Sequence, residues 1–206
     1  MNVGRGLPAV VAVALIAIAV GGLAMSVVGT LGRTRHAEGD GPLGGTPPMS
    51  YVTPAAAPGT SWAFGLPACT RTGEAVTIEA VRAIGLTGDG ATFLDPLAYR
   101  LTPSHPAFDY AGPGFPPEGV EGAVPAIGYV VDHGCDDTMT MGQEVFAGVR
   151  LNEHGSGGWS GVEIDYQAAG KRYTLVLDVK LAMCGPDMTD PDCARRWSPS
   201  PSVPAA

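Results

Sequence analysis

From Gly6 to Gly32 the chain carries no charged side chain, and Ala, Val, Leu and Ile make up most of the run. At about 1.5 Å rise per residue, a helix over 7–31 crosses the roughly 30 Å hydrocarbon core of a bilayer with room for tilt. The pattern predicts an N-terminal transmembrane helix. A cleaved signal peptide is the competing reading, with small-residue sites at Ala17-Ile18-Ala19 and Gly22-Leu23-Ala24. Its apolar core would be about 7–15 residues long, whereas this run continues past both sites through Met25, Val27, Val28 and Leu31. An uncleaved anchor is therefore expected.

Beyond the membrane segment the hydrophobic period changes from continuous to two. Residues 32–61 are rich in Gly, Pro, Ala and Thr, with Gly44-Gly45, Pro47-Pro48, Pro54 and Pro58 and few large apolar side chains, which predicts a flexible stalk. Residues 62–185 are long enough for one hydrophobic core. Within them Val76 and Ile78 alternate with Thr77 and Glu79, and Val162, Ile164 and Tyr166 alternate with Glu163 and Asp165. A turn at Ala168-Ala169-Gly170-Lys171 then leads into 172–181. There Tyr173, Leu175, Leu177, Val179 and Leu181 share one face, and Thr174, Val176, Asp178 and Lys180 the other. These segments predict half-buried strands, the last two joined as a β-hairpin. Further strands are expected at 92–101, 126–131 and 143–151, and no helix is expected outside the membrane. Many short strands between Gly/Pro-rich turns point to an all-β, antiparallel, Ig-like β-sandwich on the N-terminal transmembrane helix. Residues 103–125 form a long irregular connection of the kind that often carries function. Residues 186–206 read as an acidic turn followed by a Pro-rich tail.

Cysteine usage adds a compartment. Cys69, Cys135, Cys184 and Cys193 all follow the membrane segment, an even number that fits two disulfides in an oxidising environment. The positive-inside count is nearly tied, Arg5 and the α-amino group against Arg33 and Arg35, so the cysteines decide for an extracytoplasmic domain. Four cysteines allow three pairings. The short loop holding Pro186 and Pro191 favours Cys184 with Cys193, which would leave Cys69 for Cys135.

Candidate chemistry is sparse. The densest group of possible metal ligands is Asp132, His133, Cys135, Asp136 and Asp137, but its spacing matches neither a zinc site nor a calcium loop, and a polar turn between strands accounts for it. Asp187, Asp190 and Asp192 make a second acidic group, read as a solvated turn. Ser160 lacks the glycine two residues on that a nucleophile elbow needs, position 162 being Val, although His105, His133 and His154 are conceivable bases. Glu163 and Asp165 are expected on a solvent-facing strand surface. Residues 62–185 hold fifteen Asp/Glu and seven Lys/Arg, a balance of minus eight, which argues against nucleic acid and anionic headgroups as partners and leaves cationic or neutral ones.

The run Trp62-Ala63-Phe64-Gly65-Leu66-Pro67-Ala68-Cys69, the strand over 76–81 and the closing Leu181-Ala182-Met183-Cys184 resemble membrane-anchored extracytoplasmic proteins of actinobacteria. Those consist of a single Ig-like β-sandwich domain, and the richness in Ala, Gly, Pro and Arg with only two Lys suits a high-GC genome. The resemblance carries over no catalytic residue and implies no cofactor. The expected function is a non-catalytic binding or interaction module on the cell membrane, with 103–125 or 131–141 as contact surface. The expected partner is an envelope protein, a peptide or a cell-wall ligand. An envelope enzyme or metal protein centred on 132–137, and a structural envelope component, are the alternatives.

Overall fold

In the computed structural model of the chain the described residues are 33–45, 48–86, 90–101, 111–135, 142–153, 155–186 and 193, and the alternating segments among them become fourteen strands. One sheet runs β1 (Arg33–Ala37), β13 (Lys171–Leu177), β12 (Gly161–Ala168), β5 (Val76–Ile84), β9 (Val130–Val131). A second runs β2 (Leu43–Gly44), β4 (Ser61–Thr70), β10 (Gln143–Leu151), β6 (Ala91–Arg100), β8 (Val124–Pro125), with β7 (Ala111–Pro113) paired to β4. A third holds β11 (Gly157–Trp159), β14 (Val179–Met183) and β3 (Met49–Val52). The long pairings β4–β10–β6 and β5–β12–β13 are antiparallel, and β3 lies parallel to β14.

Packing follows from the alternation. Phe64 and Leu66 of β4 and Val145, Ala147 and Val149 of β10 share a continuous core with Val76 and Ile78 of β5 and Val162, Ile164 and Tyr166 of β12. Two antiparallel sheets thus meet through their apolar faces as a β-sandwich. Full burial of each Val, Leu, Ile or Phe contributes about 1.5–3 kcal/mol relative to exposure. The hairpin β12–β13 closes through two residues, Ala169 (φ 48°) and Gly170 (φ 73°), with Ala168 opposite Lys171. Positive φ at both turn residues matches the right-handed twist of the strands, and at Ala169 it costs about 1–2 kcal/mol.

The single strand expected over 172–181 is divided. β13 ends at Leu177, and past Asp178 β14 leaves β12 to pair with β11 and β3. The facing strand breaks at the same level, at Ser160 between β11 and β12. The hairpin therefore bends as a unit from one sheet into another. The inward phase survives the bend, and Leu175, Leu177, Val179 and Leu181 are all buried.

The expected flexible stalk over 32–61 is not what its described part forms. β1, β2 and β3 lie within it, and the compact unit begins at Arg35. Leu43 is fully buried in the core, residues 43 and 44 pair with Thr70 and Cys69, and the Tyr51 ring lies 5.6 Å from Phe64. Arg35 pairs with Glu163 and Glu38 with Arg71. The segment's few large side chains suffice because the body of the domain supplies its backbone partners. Within the expected acidic turn, Cys193 is fully buried against Ala182 and Cys184, and the Pro-rich tail after it lies outside the described residues. The expected membrane helix over 7–31 lies outside the described residues, and among those described no helix is long and apolar enough to cross a membrane.

The long connection serves partly as a cover. Its described part, 111–125, lays Phe115 and Val120 against Ala63, Tyr99, Leu101 and Phe146 on the outer face of the second sheet, so β10 is buried on both faces. The Phe115 ring sits where a side chain at Gly148 would stand, about as close as 2.5 Å to its Cβ position, so only glycine admits the ring.

Candidate interaction surface

Gln143, the first residue of β10, ties the two sheets together. Its Nε2 donates to the carbonyl of Val130 at 2.9 Å and to the Tyr129 hydroxyl at 3.0 Å, while Oε1 accepts from the N–H groups of Asp132 and His133 at 2.8 and 3.0 Å. The carboxamide thereby behaves as a peptide unit supplied from the opposite sheet. Beside it the His133 carbonyl accepts from Thr70 N–H at 2.7 Å and the Thr70 carbonyl accepts from Cys135 N–H at 2.9 Å. Cys135 is bonded to Cys69 at the end of β4, and Cys184 to Cys193. Nothing in the amino-acid pattern marks Gln143 apart from its being the lone amide heading an apolar strand.

Those bonds decide what the 132–137 group can do. The Asp132 carboxylate accepts from Arg100 at 2.5 Å, and that hydrogen bond, more than the accompanying charge attraction, holds the guanidinium pKa above its ordinary value against the opposing effect of burial. Cys135, held in a disulfide, has no thiolate to offer. Asp136 and Asp137 lie outside the described residues, as do His105, His154, Asp187, Asp190 and Asp192. Among the described residues no three His, Cys, Asp or Glu side chains converge on a common point for a metal.

Other residues singled out in the sequence have structural partners. Ser160 sits in the break between β11 and β12, its hydroxyl donating to the Ile84 carbonyl at 3.1 Å and its N–H to the same oxygen at 2.8 Å. Asp165 is buried instead of solvent-facing. It accepts from Thr174 Oγ1 at 2.6 Å and from Arg82 at 2.6 Å, and Arg82 also reaches Glu163 at 3.7 Å. A carboxylate can be buried on that face because the cross-strand Thr and the Arg satisfy it.

One described stretch presents apolar side chains to solvent. Among the described residues Val124, Ile127 and Val130 are 43%, 53% and 44% exposed, and all three lie on the short segment that joins the edges of the two main sheets. β8 fixes its beginning by pairing with β6, and β9 fixes its end by pairing with β5. Between them Ala126 N–H donates to the Pro96 carbonyl at 2.9 Å, and Gly128 N–H to the Ile78 carbonyl at 2.8 Å. Ile127 is thus carried at the tip of a backbone held on both sides. Along the chain its neighbours are acidic: residues 111–131 contain Glu118 and Glu121 and no Lys or Arg, exposed Asp95 precedes Pro96 in β6, and Asp132 beyond the segment is paired with Arg100. This exposed apolar segment runs from Val124, inside the 103–125 connection, to Val130, just short of 131–141, on residues whose apolar character is ordinary in sequence and whose exposure is not.

No family model matches the chain, and no curated protein matches it in sequence. Among solved structures, the ASH/PapD-like domain 7 of human CEP192 is similar over 72% of this chain and 87% of that chain, with 10% identity and a TM-score of 0.35. A superposition that loose carries no argument about function.

Proposed function

We propose that the protein is a non-catalytic interaction module of Ig-like type, membrane-anchored and extracytoplasmic. It holds a cationic polypeptide of the cell envelope on the surface of Val124, Ile127 and Val130. The observation that carries this reading is the exposure of three large apolar side chains on a backbone fixed at both ends, since apolar side chains held rigidly in water are what a partner buries at the centre of an interface. The acidic balance of the domain and the acids flanking the segment favour a basic partner. The uncharged run over 6–32 and two disulfides support the anchored, extracytoplasmic setting, as does the resemblance to actinobacterial anchored proteins.

The test is capture from envelope extract by the immobilised chain and by its Ile127→Asp variant, both first shown to melt alike. A protease-sensitive, basic species held by the former, shed by added salt and missed by the latter fits the reading. Equal capture by both chains removes the surface from the argument, and a protease-resistant captured species assigns it to a cell-wall polymer.

A further inference from the structure

We infer that the outer edge of β3 is a strand-addition site for an extended, basic polypeptide segment, a second surface independent of the one around Ile127. Met49 N–H donates to the Asp178 carbonyl at 3.0 Å and Thr53 N–H to the Ala182 carbonyl at 2.9 Å, with Tyr51 opposite Leu181 between them. In a parallel ladder the bonded residues of one strand alternate, so Met49, Tyr51 and Thr53 face β14, and the N–H and C=O groups of Ser50 and Val52 point to the open side. Both residues are exposed, Val52 at 44%. Among the described residues β3 ends its sheet, whereas the opposite end of that sheet is closed where Gly157 of β11 abuts Gly90 and Ala91.

Unpaired strand edges are ordinarily guarded by charge, bulges or proline. Met49-Ser50-Tyr51-Val52 has no charged side chain. The prolines in the outward phase, Pro48 and Pro54, lack N–H groups and stand at either end of the strand. They close the edge beyond Ser50 and Val52 and so fix one register for an added strand, its main-chain groups bonding those two residues and an apolar side chain meeting Val52. Charge selects the occupant. A second copy brings the same net charge of minus eight and is repelled, whereas a basic segment is attracted. Lys180, opposite Ser50, is held by Asp178 at 3.1 Å and so offers a basic strand little repulsion.

The probe is a capped hexapeptide of alternating Lys and Val, added to the full chain, with backbone hydrogen exchange and binding as readouts. The expected result is slowed exchange at the Ser50 and Val52 amides. Binding should be lost in Ser50→Pro/Val52→Pro, whose new rings replace only outward N–H groups, and lost again when the peptide is N-methylated on its pairing edge while the protein is untouched. Retention of binding by the Ile127→Asp chain is expected and keeps this site separate from the proposed partner surface. Binding that survives N-methylation, or protection confined to residues 124–130, overturns the inference. A dimer of the unliganded chain that the two prolines abolish overturns the choice of occupant in favour of a second copy.

Discussion

Gln143 illustrates how much one side chain can hold. Replacing it with Leu keeps the volume but strips partners from Asp132 N–H, His133 N–H and the Val130 carbonyl, all in a part-buried setting. Each unsatisfied buried group costs about 1–3 kcal/mol, less where water can enter, so a net loss of about 3 kcal/mol is expected in denaturant unfolding. A cost under about 0.5 kcal/mol would show that the loop is held by its disulfide alone. Tyr166 offers a second test at this scale. Its hydroxyl donates to His36 Nε2 at 2.5 Å, the imidazole's Nδ1 donating to the Ala37 carbonyl, and burial first, then the charges of Tyr173 and Glu38, push its pKa up to about 12. The folded state therefore prefers the neutral phenol. Its contribution to stability is complete below about pH 10, the unfolded value, and is lost as pH rises through about 12. Tyr166 should ionise late in a phenolate absorbance titration. Tyr166→Phe should lose less stability than the parent chain across that window, and parallel losses would exclude the assignment. Neither residue's role is legible in the sequence, because Gln143 meets its partners only across the fold of the 10–14 residues before it, and Tyr166 meets His36 from 130 residues away.

At the scale of elements, the alternation in 161–181 was the most informative signal, since a period of two assigns faces without reference to topology. Leu177 is buried and Lys180 lies on the other phase in a pair with Asp178. Leu177→Ala should cost about 2–5 kcal/mol through lost burial and the cavity left behind, while Lys180→Ala should change stability by no more than about 0.5 kcal/mol. Equal effects in denaturant melts would mean that the strand's register is shifted by one residue. The bend at Asp178 was not legible, because the inward phase continues unbroken across it and only the pairing partner changes. Composition misled over 33–52 for a related reason. Few apolar residues predict disorder only when a segment must bury itself, and here Leu43 and Tyr51 enter a core made by others. Asp165 departs from the solvent-facing reading because Arg82, remote in sequence, and Thr174, directly across the hairpin, satisfy it within the sheet.

For the whole molecule the sequence speaks mostly about place, and place is where the last prediction lies. The bonds Cys69–Cys135 and Cys184–Cys193 close loops of 66 and 9 residues' separation. In the chain-entropy model the longer loop is worth about 4–5 kcal/mol and the shorter about 3. Those are large shares of a domain's net stability, about 5–15 kcal/mol, and they are held only where thiols are kept oxidised. Arginine counts either side of the run over 6–32 are too even to orient it, so the proposed setting takes its direction from the disulfides, with residues from Arg33 onward expected outside. Fusing behind Ala206 either a reporter that is active only after export or one active only in the cytosol tests this directly. The exported reporter should be active and the cytosolic one silent. Activity of the cytosolic reporter alone would place the four cysteines among reducing thiols, leave the folded domain without its two cross-links, and remove the envelope partner from the proposed function together with them.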